Sequence, residues 1–105
     1  MNTPNQRLDP SERKARILDA AVEVARKHGV ASTSRKRVAE QAGVSPALVS
    51  AYFTTMAKMR RAVVRQAIQQ EILPIVAAAL ATGDASARKA PAELQRRALA
   101  SIIPA

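Results

Sequence analysis

Residues 33–53 read Thr-Ser-Arg-Lys-Arg-Val-Ala-Glu-Gln-Ala-Gly-Val-Ser-Pro-Ala-Leu-Val-Ser-Ala-Tyr-Phe, and the fold turns on them. Two short helical patterns flank Gly43 and a fresh helix start at Ser45-Pro46. Glycine takes the left-handed conformation that ends a helix without a Cβ clash. Ser45 is placed to cap the next helix, and Pro46 suits its first position, where the missing N–H would be unpaired anyway. Ala39 is small where two crossing helices must approach, and Val49 and Phe53, four apart, share one face of the second helix. This is the grammar of a helix-turn-helix, whose second helix enters the DNA major groove. The bland alternative is a helical hairpin in an ordinary bundle.

The 105 residues allow one domain with one modest core. With a single Tyr and a single Phe, that core must be built from Ile, Leu, Val and Ala. Cysteine is absent, which excludes disulfides and thiolate-held metal. No apolar run approaches the roughly 18 residues of a membrane span, and no signal-peptide core is visible, so a cytoplasmic protein is expected. The net charge is +9 and the isoelectric point about 11.4. Residues 1–60 hold eleven Lys and Arg against five Asp and Glu, an excess of six; the remainder holds six against three. A polyanionic partner accounts for both the excess and its bias toward the half with the helix-turn-helix.

Along the chain, residues 1–9 form an expected mobile arm. Asp9-Pro10-Ser11-Glu12 then opens a helix whose stripe is Ile17, Ala21 and Val24, with Leu18, Val22 and Ala25 beside it. Lys27 and His28 suit its carbonyl end, and Gly29 stops it. His28, the only histidine, fits a helix-end role better than a metal or catalytic one. Ser32 or Thr33 is expected to cap a second helix over about 34–41, and a third runs from about Pro46 to Phe53. Thr54 or Thr55 caps a fourth, beginning near Met56, with Pro74 predicting a kink or an end. Residues 82–89 read as turn, and Pro91 opens a last helix carrying Leu94, Ala98, Leu99 and Ile102. The expectation is an all-α protein: a three-helix helix-turn-helix domain over 10–55, then a C-terminal helical segment over 56–105.

One local rule is broken. Arg35, Lys36 and Arg37 crowd the first turn of the second helix, where the dipole disfavours cations by a few tenths of a kcal/mol each. A solvated face is the ordinary explanation. A helix N-terminus that also carries cations is, however, a strong phosphate site, because free N–H groups and side-chain charge face one anion.

Ile17-Leu18-Asp19-Ala20-Ala21 through Gly29, then Thr33-Ser34, Val38-Ala39-Glu40, Ala42-Gly43-Val44-Ser45 and Tyr52-Phe53, strongly resemble the N-terminal domain of TetR-family transcriptional repressors. The resemblance spans roughly residues 11–68 and implies a homodimer that binds a palindromic operator in double-stranded DNA. It also implies that the third helix reads bases while the second helix and the start of the fourth grip phosphates. By position, Ser34, Lys36 and Tyr52 become backbone or groove contacts, and Ser45, Pro46, Ala47, Leu48 and Ser50 face the bases. Pro46, Ala47 and Leu48 stand where the family often has lysine, glycine and threonine, and Ser50 where tyrosine is frequent. The lysine that commonly opens the fourth helix is Met56 here, with Lys58 as its replacement, and Ala25 replaces a usual phenylalanine.

Family members usually add a domain of some five helices that binds an inducer and dimerises. About 40 residues follow Ile68 here, too few to enclose the 300–1,000 Å³ of a typical ligand pocket, so no small-molecule inducer is expected. The chain reads as a miniature repressor or as a truncated form of a longer one. Dimerisation then falls to other apolar residues: Ile72, Leu73, Ile75, Val76 and Leu80 with Leu94, Ala98, Leu99 and Ile102. Two such hairpins would pair as a four-helix interface, the alternative being a last helix folded back on its own subunit. No cofactor or metal is expected, and no catalytic constellation is visible. The competing classes are a nonspecific architectural DNA-binding protein and a membrane-surface or partner-binding bundle.

Overall fold

The first helix, α1 (Pro10–His28), begins at Asp9, whose carboxylate accepts the Glu12 N–H at 2.9 Å and the Ser11 hydroxyl at 2.8 Å. Those two donors, the Glu12 N–H foremost, hold the Asp9 carboxyl below the usual carboxylate range. The computed structural model describes residues 9–102, so the expected arm before Asp9 lies outside the described residues. A 3₁₀ turn (Val30–Ser32) links α1 to α2 (Arg35–Ala42), followed by α3 (Pro46–Tyr52) and α4 (Met56–Gln70). Then come α5 (Leu73–Ala81), the single turn α6 (Ala85–Arg88) and α7 (Ala92–Ser101). Among the described residues there is no strand, and the architecture is all-α.

The helix ends follow from side-chain chemistry. Gly43 lies at φ 71°, ψ 34°, in the left-handed region, and ends α2. Ser45 starts α3 by accepting the Leu48 N–H at 3.2 Å, and Thr55 starts α4 by accepting that of Lys58 at 3.1 Å. For α2 the cap is Ser34, which accepts the Arg37 N–H at 3.2 Å, rather than the expected Ser32 or Thr33. Ser32 is taken by the 3₁₀ turn, and Thr33 is fully buried with its hydroxyl donating to the Gly29 carbonyl at 3.1 Å. The predicted turn over 82–89 also differs: Asp84 accepts the Ala87 N–H at 3.0 Å and winds α6.

The core gathers Ile17, Ala21 and Val24 of α1, Val38 and Ala39 of α2, Val49 of α3, and Met59, Val63 and Ala67 of α4. Each is no more than about 3% exposed, which holds α2 and α4 on α1 and seats α3 on α2.

The Pro74 signal resolves as a helix end. α4 stops at Glu71, which takes the left-handed conformation at φ 55°, ψ 47° while Ile72 donates back to the Ala67 carbonyl at 2.9 Å. A non-glycine residue there costs on the order of 1 kcal/mol. Glu71 also meets Arg97 of α7 at 2.8 Å, but both side chains are about half exposed (54% and 50%), so the pair adds little stability. Pro74 sits in the first turn of α5, where its missing N–H leaves no gap.

With α4 ended, α5 packs against α7 of the same chain. Ile75, Val76, Leu94 and Ala98, assigned by sequence to a surface between subunits, are 2%, 0%, 5% and 0% exposed within one chain. They close the subunit's own core together with Ala77 and Ala90. The Gln95 amide donates to the Arg88 and Ala90 carbonyls at 3.0 and 2.8 Å and pins the loop before α7. Of the nine residues, Leu99 and Ile102 are exposed, and Ile72, Leu73 and Leu80 are half-buried against the core.

Candidate nucleic-acid interface

Three consecutive residues of a helix point about 100° apart, so Arg35, Lys36 and Arg37 cannot share one direction. Lys36 and Arg37 are exposed at the amino end of α2, one turn before the exposed Glu40 and Gln41. Arg35 lies in the row of Ala39, is half-buried, and has its Nε buried without a hydrogen-bond partner. The amino end of α2 therefore offers two exposed cations, Lys36 and Arg37, beside the half-buried Arg35. Ser34, expected as a contact, has its oxygen engaged as the α2 cap, and its half-buried hydroxyl retains a donor.

On α3, Val49 is fully buried and holds the helix, while Ser45, Pro46 and Ala47 are exposed. Leu48 is half-buried and packs against the core, in a cleft lined also by Ile17, Arg13, Arg16 and Val44. Only part of Leu48 is left for a ligand. The two serines are chemically opposite. Ser45 spends its oxygen on the Leu48 N–H and keeps its O–H as a donor. Ser50 spends its O–H on the Pro46 carbonyl at 3.3 Å and keeps oxygen lone pairs as acceptors. Pro46 and Ala47 offer only apolar surface, suited to thymine methyls or sugar carbons.

Tyr52 and Lys58 come together in a groove between α1 and α4. Its walls also carry Lys14, Arg61 and Arg65, basic residues that the sequence reading did not single out for this face. The signal was available: Lys58, Arg61 and Arg65 are spaced i, i+3, i+7, one row of a helix. Met56, at the position of the missing lysine, instead packs half-buried against the core.

A concavity of about 590 Å³ lies between the 3₁₀ turn, α4, α5 and the start of α6. It is lined by Val30, Ala57, Val64 and Ala79 with Arg60 and Asp84 at its polar positions. Residues 29–31 and α4 supply most of its wall, with α5 and the segment opening α6 supplying the rest. Among the described residues, no cluster of three or more His, Cys, Asp or Glu could hold a metal, and no helix is long and apolar enough to cross a membrane.

Residues 17–63 match the family model described as bacterial regulatory proteins, tetR family. The match begins at the core residue Ile17, covers α2 and α3 whole, and ends at the core residue Val63. No curated protein and no solved structure matches the chain.

Proposed function

Because this chain carries the N-terminal helix-turn-helix domain of the TetR family and is a DNA-binding transcription regulator, we propose that it represses transcription as a homodimer on a palindromic operator. One observation carries the reading. α3 offers Ser45, Pro46 and Ala47 to solvent while Val49 locks it to the core, beside an α2 whose amino end carries the exposed Lys36 and Arg37. A base-reading surface flanked by a phosphate clamp is what one half-site requires. Selection of duplexes from a randomised pool by the full chain is expected to enrich an inverted repeat with half-sites one DNA turn apart, about 34–36 Å. Equal recovery of all sequences, with scrambled competitor as effective as any other, would favour a nonspecific architectural binder instead.

The apolar face of α3 sharpens the expectation. Replacing thymine by uracil at one or two positions of the selected duplex should cost about 1 kcal/mol each, within the usual range per altered pair. An operator insensitive to every such replacement removes Ala47 and Leu48 from base reading.

Dimerisation is assigned to the residues that the subunit core leaves free. Leu99 and Ile102, 43% and 58% exposed, follow an i, i+3 row on the outer side of α7. Leu99→Asp with Ile102→Asp is expected to leave the helical fold intact, convert the dimer to monomer in sedimentation, and weaken operator binding about 100-fold or more through loss of the second half-site. Dimers that survive this double change locate the interface elsewhere.

A further inference from the structure

We propose that the groove between α1 and α4 is a second DNA-binding element, which holds the sugar–phosphate backbone of the duplex flanking the sequence read by α3. The groove has a volume of about 510 Å³ and is lined by Lys14, Lys58, Arg61 and Arg65 over the apolar Leu18 and Ala62. No carboxylate among the described residues lines it. Among the described residues the ion pairs found are Arg26–Glu23 and Arg97–Glu71, both away from these four cations. Lys14 is held in place by the ring of Phe53, with its Nζ 5.3 Å from the ring centroid. Cations so gathered repel one another until an anion joins them, and a regular polyanion fits their spacing. Lys58 to Arg65 spans about 10.5 Å of helix, at about 1.5 Å per residue. One strand of B-DNA presents a phosphate about every 3.4 Å along its axis, so the row matches about three base steps.

The position favours duplex DNA over other polyanions. Tyr52 and Thr54, at the carboxyl end of α3, form one end of the groove, so it continues directly from the base-reading helix. This inference rests on the proposed DNA-binding function and extends the protein's footprint beyond the bases it reads. Arg61 and Arg65 are its phosphate contacts, and Lys14, seated on the Phe53 ring, adds positive potential beside them; none acts on sequence.

The test uses the duplex selected by the full chain, in a minimal form and with ten base pairs of arbitrary sequence added at each end. The native protein should bind the longer duplex more tightly. Its log–log salt slope should be steeper by about 1.8 per subunit if Arg61 and Arg65 each meet one phosphate, at about 0.9 per contact. Over the two subunits of the proposed dimer that difference, about 3.6, shrinks the length-dependent gain about 150-fold between 50 and 200 mM salt. Arg61→Ala with Arg65→Ala should abolish the gain and bind the minimal duplex as the native protein does. The charge-reversed Arg61→Glu with Arg65→Glu should make the longer duplex the weaker ligand. A gain that persists in either variant overturns the proposal and leaves the repressor reading standing. Equal loss on both duplexes also overturns it, by placing the two arginines within the half-site contact. Unaltered duplex binding with loss of binding to phosphatidylglycerol vesicles would assign the groove to a membrane surface. Failure to enrich any duplex would remove both readings together.

Discussion

Replacing Lys36 and Arg37 by alanine is expected to reduce the slope of log affinity against log salt by about 3.6 for the proposed dimer on every duplex, at about 0.9 per phosphate contact and two contacts per subunit. The native protein would then lose about 150 times more affinity than the variant between 50 and 200 mM salt. The ratio between selected and scrambled duplexes should stay constant, because phosphate contacts position the protein without reading sequence. Both side chains are exposed at the amino end of α2, so their removal leaves no cavity. Arg35→Ala should behave differently. Its Nε is buried and unpartnered, so the change acts on packing near Ala39 and leaves the slope near its native value. Anisotropy titrations over a range of salt separate the two variants. A native slope in the double variant reduces Lys36 and Arg37 to a solvated face.

The three basic residues show where sequence reasoning stops. Their identity and their place in the first turn were legible, because caps and glycines fix the helix ends: Gly43, Ser45 and Thr55 all act where their chemistry predicts. Which of the three faces solvent was not, since that depends on how α2 is rolled against Val38 and Ala39 in the core. The same limit appears in the C-terminal segment. Apolar periodicity identified Ile75, Val76, Leu94 and Ala98 as buried, but burial within a subunit and burial between subunits have the same pattern in sequence. The break at Glu71 decides between them, and a left-handed glutamate carries no compositional signal. The groove cations were overlooked for a related reason: Lys14 and Arg61 are remote in sequence and become neighbours only when α1 packs on α4.

Leu94→Ala is expected to destabilise the fold by about 2–5 kcal/mol, the usual cost of removing a buried leucine side chain. Leu94 is 5% exposed and joins Ile75 and Val76 in the core between α7 and α5. Against the 5–15 kcal/mol that a typical domain has in total, such a loss is a large fraction. Urea unfolding followed by circular dichroism should show the midpoint falling with no change in the subunit's association state short of unfolding. Variants at Leu99 and Ile102 should show the reverse, a native midpoint with altered association. If Leu94→Ala keeps the native midpoint and instead dissociates the proposed dimer, then α7 packs on a second copy and not on its own chain.

The seam between α5 and α7 has a consequence for how this protein changes over generations. Much of what it buries is alanine: Ala77, Ala90 and Ala98 meet Ile75, Val76 and Leu94. Helices brought close by alanine have no spare volume, so a single change to valine wedges them apart, while glycine loosens the turn it occupies. Neutral drift at one helix is therefore closed unless the other helix compensates. Side-chain size on the buried row of α5 and on that of α7 should vary as a coupled pair among descendants of this sequence. The outward row at Leu99 and Ile102 lies outside that coupling, and a lineage can remodel its partner surface while the seam beneath it stays fixed.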